Sequence, residues 1–345
     1  MSPVVPTVTG SNNNTPELGL DRPALVLGIN GQLGHAIRQA VDSGLGLGLA
    51  SHWVWADRQR CDLSRPDQVR SFVADLRPGL IINAAAYTAV DRAESEPALA
   101  QAINADSVEE LARYAGRHHA VLLHFSTDYV FNGKLDRPYL ESDATDPQSA
   151  YGRTKRMGEW AVQAHAPQHL LMRTSWVFGR HGGNFIKTML KLAQERDTLR
   201  VVSDQWGAPT SAQLLAQQSL QACRQALKLA RLGSPVPWGL YHLCAHGHTN
   251  WHAYAVHVLG QAARWGLGLR VTADQIQPIT TDQYPTPAQR PLNSRLNPKA
   301  WEHTWQVRLP TWQEGVDAVL AEILADQGVL APAMRDKITS ERSAQ

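Results

Sequence analysis

Residues 24–40 read ALVLGINGQLGHAIRQA. Ala24 to Leu27 is a short apolar run of the kind a buried strand makes. Gly28, Gly31 and Gly34 follow at GxxGxxG spacing, and the chain from His35 continues as a helix. Strand, glycine turn, helix is the order in which such glycines acquire meaning. The turn lets the backbone approach a pyrophosphate, and the helix start supplies N–H groups and a positive dipole end. The spacing departs from GxGxxG, so a glycine turn without a ligand stands as the alternative. A second glycine cluster, Gly44, Gly46 and Gly48, follows a helix instead of a strand and reads as a loop that begins at a helix C-cap.

Moving outward, Trp53 to Ala56 is the second strand and ends at Asp57. An acidic residue there commonly holds the adenosine ribose. Arg58 and Arg60 beside it suit a 2′-phosphate, which leans the choice of cofactor toward NADP over NAD, or they are solvated surface charges. Asp62 either bonds the adenine amino group or caps the helix expected at 66–76. The third strand, Gly79 to Ile82, runs into Asn83-Ala-Ala-Ala-Tyr87-Thr88, where small residues leave room at the carboxyl edge of a sheet. An amphipathic helix spans 98–118, with Asn104 read as an ordinary polar position. The fourth strand, Ala120 to Phe125, ends in Ser126-Thr127-Asp128. A helix over 149–164 carries Tyr151 and Lys155, and a fifth strand covers 169–173, ending in Thr174-Ser175-Trp176. Alternating strands and helices predict an α/β fold, a Rossmann-type doubly wound parallel sheet with right-handed crossovers.

After Trp176 the alternation loosens. Helices are expected at 182–196, 211–229, 251–264 and 310–326, with strands at 199–202 and 239–243. Residues 284–296, a proline-rich stretch holding Arg290, Asn293 and Ser294, read as an ordered loop with a binding task or as a surface connector. The division expected is a leader at 1–22, a dinucleotide-binding domain at 23–176 to which later segments can return, a mainly substrate-binding subdomain at 177–328, and a tail at 329–345.

The bulk composition narrows the classes. The 345 residues are 43% hydrophobic and 19% charged, with a formal net charge of +2. That is a soluble globular composition, and the absence of a Lys/Arg run argues against nucleic-acid or membrane-surface partners. Cys61, Cys223 and Cys244 show neither CxxC spacing nor an even count, which argues against a disulfide framework or a zinc site and fits a reducing cytoplasm. No apolar run approaches the roughly 20 residues of a membrane span.

Tyr151 and Lys155 stand one helical turn apart on the same face. Reduction of a ketone by hydride leaves an alkoxide that needs charge stabilisation and a proton. A phenol beside an ammonium is suited to that task. Lys155 and an oxidised nicotinamide would favour the phenolate and lower its pKa. Thr127 would orient the carbonyl oxygen.

Taken together, the glycine turn at 28–34, NAAAYTAVDRAESEP (83–97), STDYVF (126–131), YGRTK (151–155), RTSWVFG (173–179), DQWGAPT (204–210) and YPTPAQRPLNSRL (284–296) resemble the extended short-chain dehydrogenase/reductase superfamily and, within it, the dTDP-4-dehydrorhamnose reductase family. The resemblance covers nearly all of residues 24–326. It implies reduction of the C4 ketone of a dTDP-deoxysugar with NADPH or NADH. It implies Thr127, Tyr151 and Lys155 as the catalytic set. It implies Gly31, Gln32 and Leu33 at the pyrophosphate, Asp62 and Leu63 at the adenine, and Ala86, Tyr87 and Thr88 beside the cofactor. Thr127, Asp128 and Trp176 are implied at the sugar, and Arg290 and Asn293 at the nucleotide. A buried tryptophan at a strand end is the plain alternative for Trp176. Some members pair through magnesium held by interface glutamates. The matching positions here are Ala36, Gln213 and Gln313, poor partners for a hard cation, so no metal is expected and the chain is expected as a monomer or homodimer. Two other readings share the scaffold: a sugar-nucleotide epimerase or dehydratase that recycles its NAD, and a non-catalytic subunit that binds NADP and a partner chain, as the regulatory subunit of methionine adenosyltransferase does.

Overall fold

The computed structural model describes residues 21–331. The leader expected at 1–22 falls outside them apart from Asp21 and Arg22, and so does the tail expected at 329–345 apart from its first three residues, of which Leu330 is still packed in the core. The strands and helices alternate as the apolar runs require. β1 (Ala24–Leu27) leads to α1 (Gln32–Ala40), and β2 (Trp53–Ala56) to α2 (Pro66–Leu76). β3 (Leu80–Asn83) leads to α3 (Val90–Ala93), α4 (Pro97–Gln101) and α5 (Ser107–Arg117). β4 (Val121–Thr127) leads to α6 (Ala150–His165) and then β5 (His169–Thr174). Beyond these come β6 (Val177–Phe178), α7 (Phe185–Glu195), β7 (Leu199–Val202), β8 (Trp206–Gly207), β9 (Thr210–Ser211) and α8 (Ala212–Arg231). The chain closes with β10 (Gly239–His242), β11 (Thr249–Asn250), α9 (Trp251–Arg264), β12 (Ile276–Ile279), α10 (Lys299–Trp305) and α11 (Trp312–Asp326).

Six strands form one parallel sheet in the order β10-β5-β4-β3-β1-β2. Its strands are built on short apolar runs because both faces are covered, with polar residues such as His124 and Arg173 buried among them. Leu25, Leu27, Ile81, Leu122 and Leu171 pack with Val69, Val73, Leu111 and Val162 on one side. Val26, Ile82, Leu123, Leu170 and Met172 pack with Leu33, Ile37, Leu215 and Leu220 on the other. Each fully buried Leu, Ile or Val contributes about 1.5–3 kcal/mol of transfer free energy. The second of these cores continues without a break to Tyr254, Trp301, Trp312 and Leu320. The sheet is therefore closed by late elements: α8 lies against α1, and β10 pairs with β5 from Gly239↔Leu170 to His242↔Arg173.

The chain leaves β1 for β2 on one side and returns to β3 on the other, so β1 and β3 mark the topological switch point. A crevice opens there, outside the carboxyl ends of the strands. Asn83, Thr127 and Thr174 are the last residues of β3, β4 and β5 and stand along it, with Thr127 opposite Thr174.

The helix expected at 98–118 is broken by a π turn at Ala102–Asp106 that aims Asn104 inward, where it is 1% exposed. Strand β12 and helix α10 were not expected. Pro278 lies within β12 and suits it only because β12 pairs on one side, with β7.

Candidate active site

The glycine turn is dictated by close packing. A Cβ at Gly28 would lie 2.7 Å from Ala85 N, at φ 80°, and one at Gly34 would lie 2.2 Å from Gly28 O. α1 then starts at Gly31 with no side chain capping it, so its first N–H groups stand ready for an anion at the positive end of the helix dipole. This bare helix start is what the pyrophosphate of a dinucleotide requires. Leu33 is buried and offers only its backbone. The Gln32 side chain is held by the Asn184 amide at 3.1 Å, which brings the loop 179–184 against the turn.

Asp57 spends one carboxylate oxygen on its own turn, accepting the N–H groups of Gln59 and Arg60 at 3.1 Å. Arg60 donates to Trp55 O, and Arg58 stays largely exposed beside Asp62 at 3.4 Å. Burial would raise the Asp62 pKa, but the Ser64 N–H and hydroxyl and Arg58 outweigh it and hold the carboxyl below its usual value. Asp62 closes the turn before α2 and does not cap that helix, whose N-cap is Arg65. Leu63 is fixed through its carbonyl, which accepts from the Ser107 hydroxyl at 2.6 Å. Ala86 and Tyr87 are half-buried on the rim and Thr88 is exposed. The Tyr87 peptide is clamped by Asn104, which accepts its N–H at 2.9 Å and donates to its carbonyl at 3.1 Å. The same Asn104 amide reaches Thr154 on α6 at 3.2 Å.

Helix α6 is pinned at its start. Ser149 accepts from Gly152 N at 3.1 Å and Glu94 accepts from Ala150 N at 2.7 Å. Two glycines set its depth. A Cβ at Gly152 would meet Tyr129 O at 2.2 Å, and one at Gly158 would meet Asn104 O at 2.2 Å. The helix thus lies close enough to bury Tyr151 and Lys155, with Lys155 1% exposed. Tyr151 stands close enough to the Thr127 hydroxyl, at the end of β4, for that hydroxyl to favour its phenolate. Thr127 in turn donates to Asp128 Oδ1 at 2.9 Å.

Lys155 is expected to lower the phenol together with an oxidised nicotinamide; the protein's own groups by themselves raise it. Burial pushes the Tyr151 pKa up to about 12; the Thr127 hydroxyl opposes this and the Asp128 charge adds to it. The Lys155 ammonium reaches past the phenol to β4, donating to Phe125 O at 2.7 Å with His124 Nε2 at 3.4 Å. Burial brings Lys155 down to about 8, against the pull of Glu159. In this form of the site Tyr151 holds its proton firmly, the state from which a donor starts. Asp128 is raised to about 6 by burial, against hydrogen bonds from Ser294 and Thr127. Three buried oxygens at these strand ends, Ser126 Oγ, Asp128 Oδ2 and Thr174 Oγ1, have no partner among the described residues, and a polyhydroxylated ligand would satisfy them.

The far wall of the crevice is built from loops distant in sequence. Trp206 and the loop 292–294 exchange backbone bonds at 2.7–2.8 Å. Asn293 is 5% exposed, and its amide donates to Leu135 O and Arg137 O while its oxygen accepts from Arg295. The structure therefore gives Asn293 to holding the wall together, and its side chain has no hydrogen left for a nucleotide. Arg290 pairs with Asp91 at 2.8 Å across the mouth of the crevice and keeps a buried Nε unpartnered. Trp176 sits at φ 48°, its indole stacked on Trp251 at 3.7 Å. Gly207 makes room for it, since a Cβ there would meet the indole at 2.5 Å. Such a backbone conformation in a bulky residue is costly, by about 1–3 kcal/mol, and is typical of functional positions.

Sequence reading passed over Asn104, His124 and the pair Glu159–Arg173, whose two bonds are both 2.8 Å. The available signal was a polar residue inside an apolar pattern: a histidine in the strand run LLHF, and an asparagine and a glutamate on inward helix faces. Ala36 and Gln213 line one cavity between α1, α8 and α11 whose carboxylates are Glu314 and Glu322; Gln313 is exposed beside it. Among the described residues no group of three or more His, Cys, Asp or Glu is arranged to hold a metal.

Residues 22–325 match the family model described as the RmlD substrate binding domain. A dTDP-4-dehydrorhamnose reductase of Salmonella typhimurium (strain LT2) is 50% identical over 262 residues, 76% of this chain and 85% of that protein. The protein of the same name from Escherichia coli (strain K12) is 45% identical over 305 residues, 88% of this chain and 99% of its own length. A solved dTDP-4-dehydrorhamnose reductase from Bacillus anthracis, in complex with NADP, superposes with a TM-score of 0.76 at 30% identity, covering 88% of this chain and 99% of that one.

Proposed function

The chain belongs to the RmlD substrate binding domain family, and from that premise we propose that it is an NADPH-dependent reductase that converts dTDP-4-dehydro-L-rhamnose to dTDP-L-rhamnose. The observation that carries the proposal is the meeting of Thr127, Tyr151 and Lys155 at the carboxyl end of β4, beside a glycine turn whose helix start is bare. NADPH, when bound, supplies the hydride; NADH would serve the same chemistry. Gln32 and Leu33 would hold the pyrophosphate with their backbone N–H groups, Gly31 would let the backbone approach it while its own N–H stays on Gly28 O at 3.0 Å, and Ala84 to Ala86 would leave the space for the ring. Thr127, once its hydroxyl turns from Asp128, holds the C4 carbonyl oxygen, and Tyr151 donates the proton that the alkoxide takes up. Lys155 anchors to Phe125 O, and its positive charge favours the phenolate left behind. Asp128 and Trp176 face the sugar. Arg290, a cation of the far wall, suits the diphosphate once it leaves Asp91. Three buried thiols fit a reaction housed in the cytoplasm.

An epimerase or dehydratase on the same scaffold returns its cofactor unchanged. Supplying dTDP-4-dehydro-L-rhamnose with NADPH and following the dihydronicotinamide absorbance separates the cases. One equivalent of cofactor is oxidised per dTDP-L-rhamnose formed if the proposal holds; product without net oxidation, or no product, overturns it.

A further inference from the structure

His124 lies at the centre of β4, 0% exposed, in a strand whose other central residues are apolar. Its ring stands between Asn83 on β3 and Lys155 on α6. Nδ1 is 3.2 Å from Asn83 Nδ2, and Nε2 is 3.4 Å from Lys155 Nζ. Asn83 Oδ1 accepts Ala85 N–H at 3.2 Å, and that bond decides which end of the amide faces the ring: turning it over would set the NH2 group against Ala85 N–H. With Nδ2 toward the ring, Nδ1 is the acceptor and Nε2 carries the hydrogen. Nε2–H then points at Lys155 Nζ. An ammonium has no lone pair to receive it, whereas a neutral amine accepts from Nε2–H while donating to Phe125 O at 2.7 Å.

We infer that His124 is a positioning residue for Lys155: held in its Nε2–H tautomer by Asn83, it sets whether Lys155 carries a charge in the cofactor-free site. The inference deepens the reductase proposal and rests on it. Its consequence is a switch in the first step of the cycle. The charge on Lys155 is best accommodated when the Asn83 amide turns, His124 moves its hydrogen to Nδ1, and Ala85 N–H is released at the Ala84–Ala86 rim. The charge on Lys155 and the backbone beside the cofactor are thereby tied through a single ring. Burial supports the same direction, bringing Lys155 to about 8 and His124 well below its usual value. The other groups around Lys155 are accounted for. Glu159, one turn on in α6, favours its charge but is paired with Arg173 of β5 and Arg156. Tyr151 lies one turn before. Asp128 stands at the end of β4, His169 of β5 faces His124, Asn104 packs from the π turn, and Glu94 meets Arg153 at the helix start.

The test compares the wild type with His124→Gln, whose amide can present an oxygen to the ammonium, and with His124→Phe, which presents nothing. In cofactor-free protein with 15N-labelled histidine, the resonance lost in both variants identifies His124. It should show the neutral Nε2–H tautomer at pH 9. In the reductase assay the fall of kcat/KM for NADPH on the alkaline side, centred near pH 8 in the wild type, should move up by a pH unit or more in His124→Gln. His124→Phe should lose activity tenfold or more without that upward move. An Nδ1–H tautomer at pH 9 overturns the inference, and so does a His124→Gln profile that keeps its shape, whether its height is unchanged or lowered throughout. No reduction by the wild type would instead defeat the reductase proposal, while the tautomer readout remains independent of it.

Discussion

Asp128 is a residue whose functional position costs stability. Its folded pKa of about 6 lies above the ordinary 3.8, so the folded chain binds a proton more tightly than the unfolded one does. The sign follows: the stability due to this group is full below about pH 4 and is lost as pH rises through 6, a loss of about 3 kcal/mol. Asp128→Asn should accordingly melt higher than the wild type at pH 8, with the gap about halved at pH 5 and closing only below pH 4. Thermal unfolding at the two pH values checks this, and an equal gap at both would show that burial of the charge is not the cause. Tyr151→Phe removes the hydroxyl and little else. It should bind NADPH with unchanged affinity and lose turnover by about 10²–10⁴-fold, the usual worth of a positioned acid; fluorescence titration and initial rates decide. Tyr151, Lys155 and Thr127 were legible in the sequence because a helical turn and a strand end are local features. The direction of the Tyr151 shift was not. It depends on how far Lys155 reaches, and that is set by Phe125 O and His124 on another element. Asn293 was legible as an important residue and not for its task, because its partners Leu135 and Arg137 stand 158 and 156 residues away.

Most elements could be read to within a residue or two, since both faces of the sheet are covered and each sheet strand is built on a short apolar run. The exceptions have physical causes. Two-residue strands such as β6, β8, β9 and β11 have no period to detect, β12 contains a proline, and the π turn before α5 exists to bring Asn104 onto the Tyr87 peptide. Helix α6 shows the opposite relation between propensity and packing. Glycine inside a helix costs about 1 kcal/mol relative to alanine, so Gly158→Ala would stabilise an isolated helix. Here the new methyl would meet the backbone oxygen of Asn104 at 2.2 Å. The expected outcome is net destabilisation by about 1–3 kcal/mol, with a raised KM for NADPH because the Asn104 clamp on Tyr87 moves too. Urea unfolding and cofactor titration measure the two effects, and a more stable variant would disprove this account of the glycine.

At the scale of the molecule, the sheet and the far wall belong to one continuous core. A fragment covering 21–176 lacks α8, which covers α1, and β10, which pairs with β5. It should fail to give a cooperative melt or dispersed amide resonances, despite holding all five alternating strands; a folded fragment would contradict the shared core. Within the whole chain, Asn293→Ala should raise the KM for the sugar nucleotide and leave that for NADPH unaltered, at a stability cost of about 1–3 kcal/mol for the carbonyls it strands. Steady-state kinetics with each substrate varied in turn test the asymmetry. The late arrival of β10 also has a consequence during synthesis. At about 5–20 residues per second, the roughly seventy residues between β5 and the end of β10 take some 4–14 seconds to emerge. Throughout that interval Leu170 to Arg173 lack the strand that covers them, and that interval on the ribosome is when a holding chaperone has most to protect.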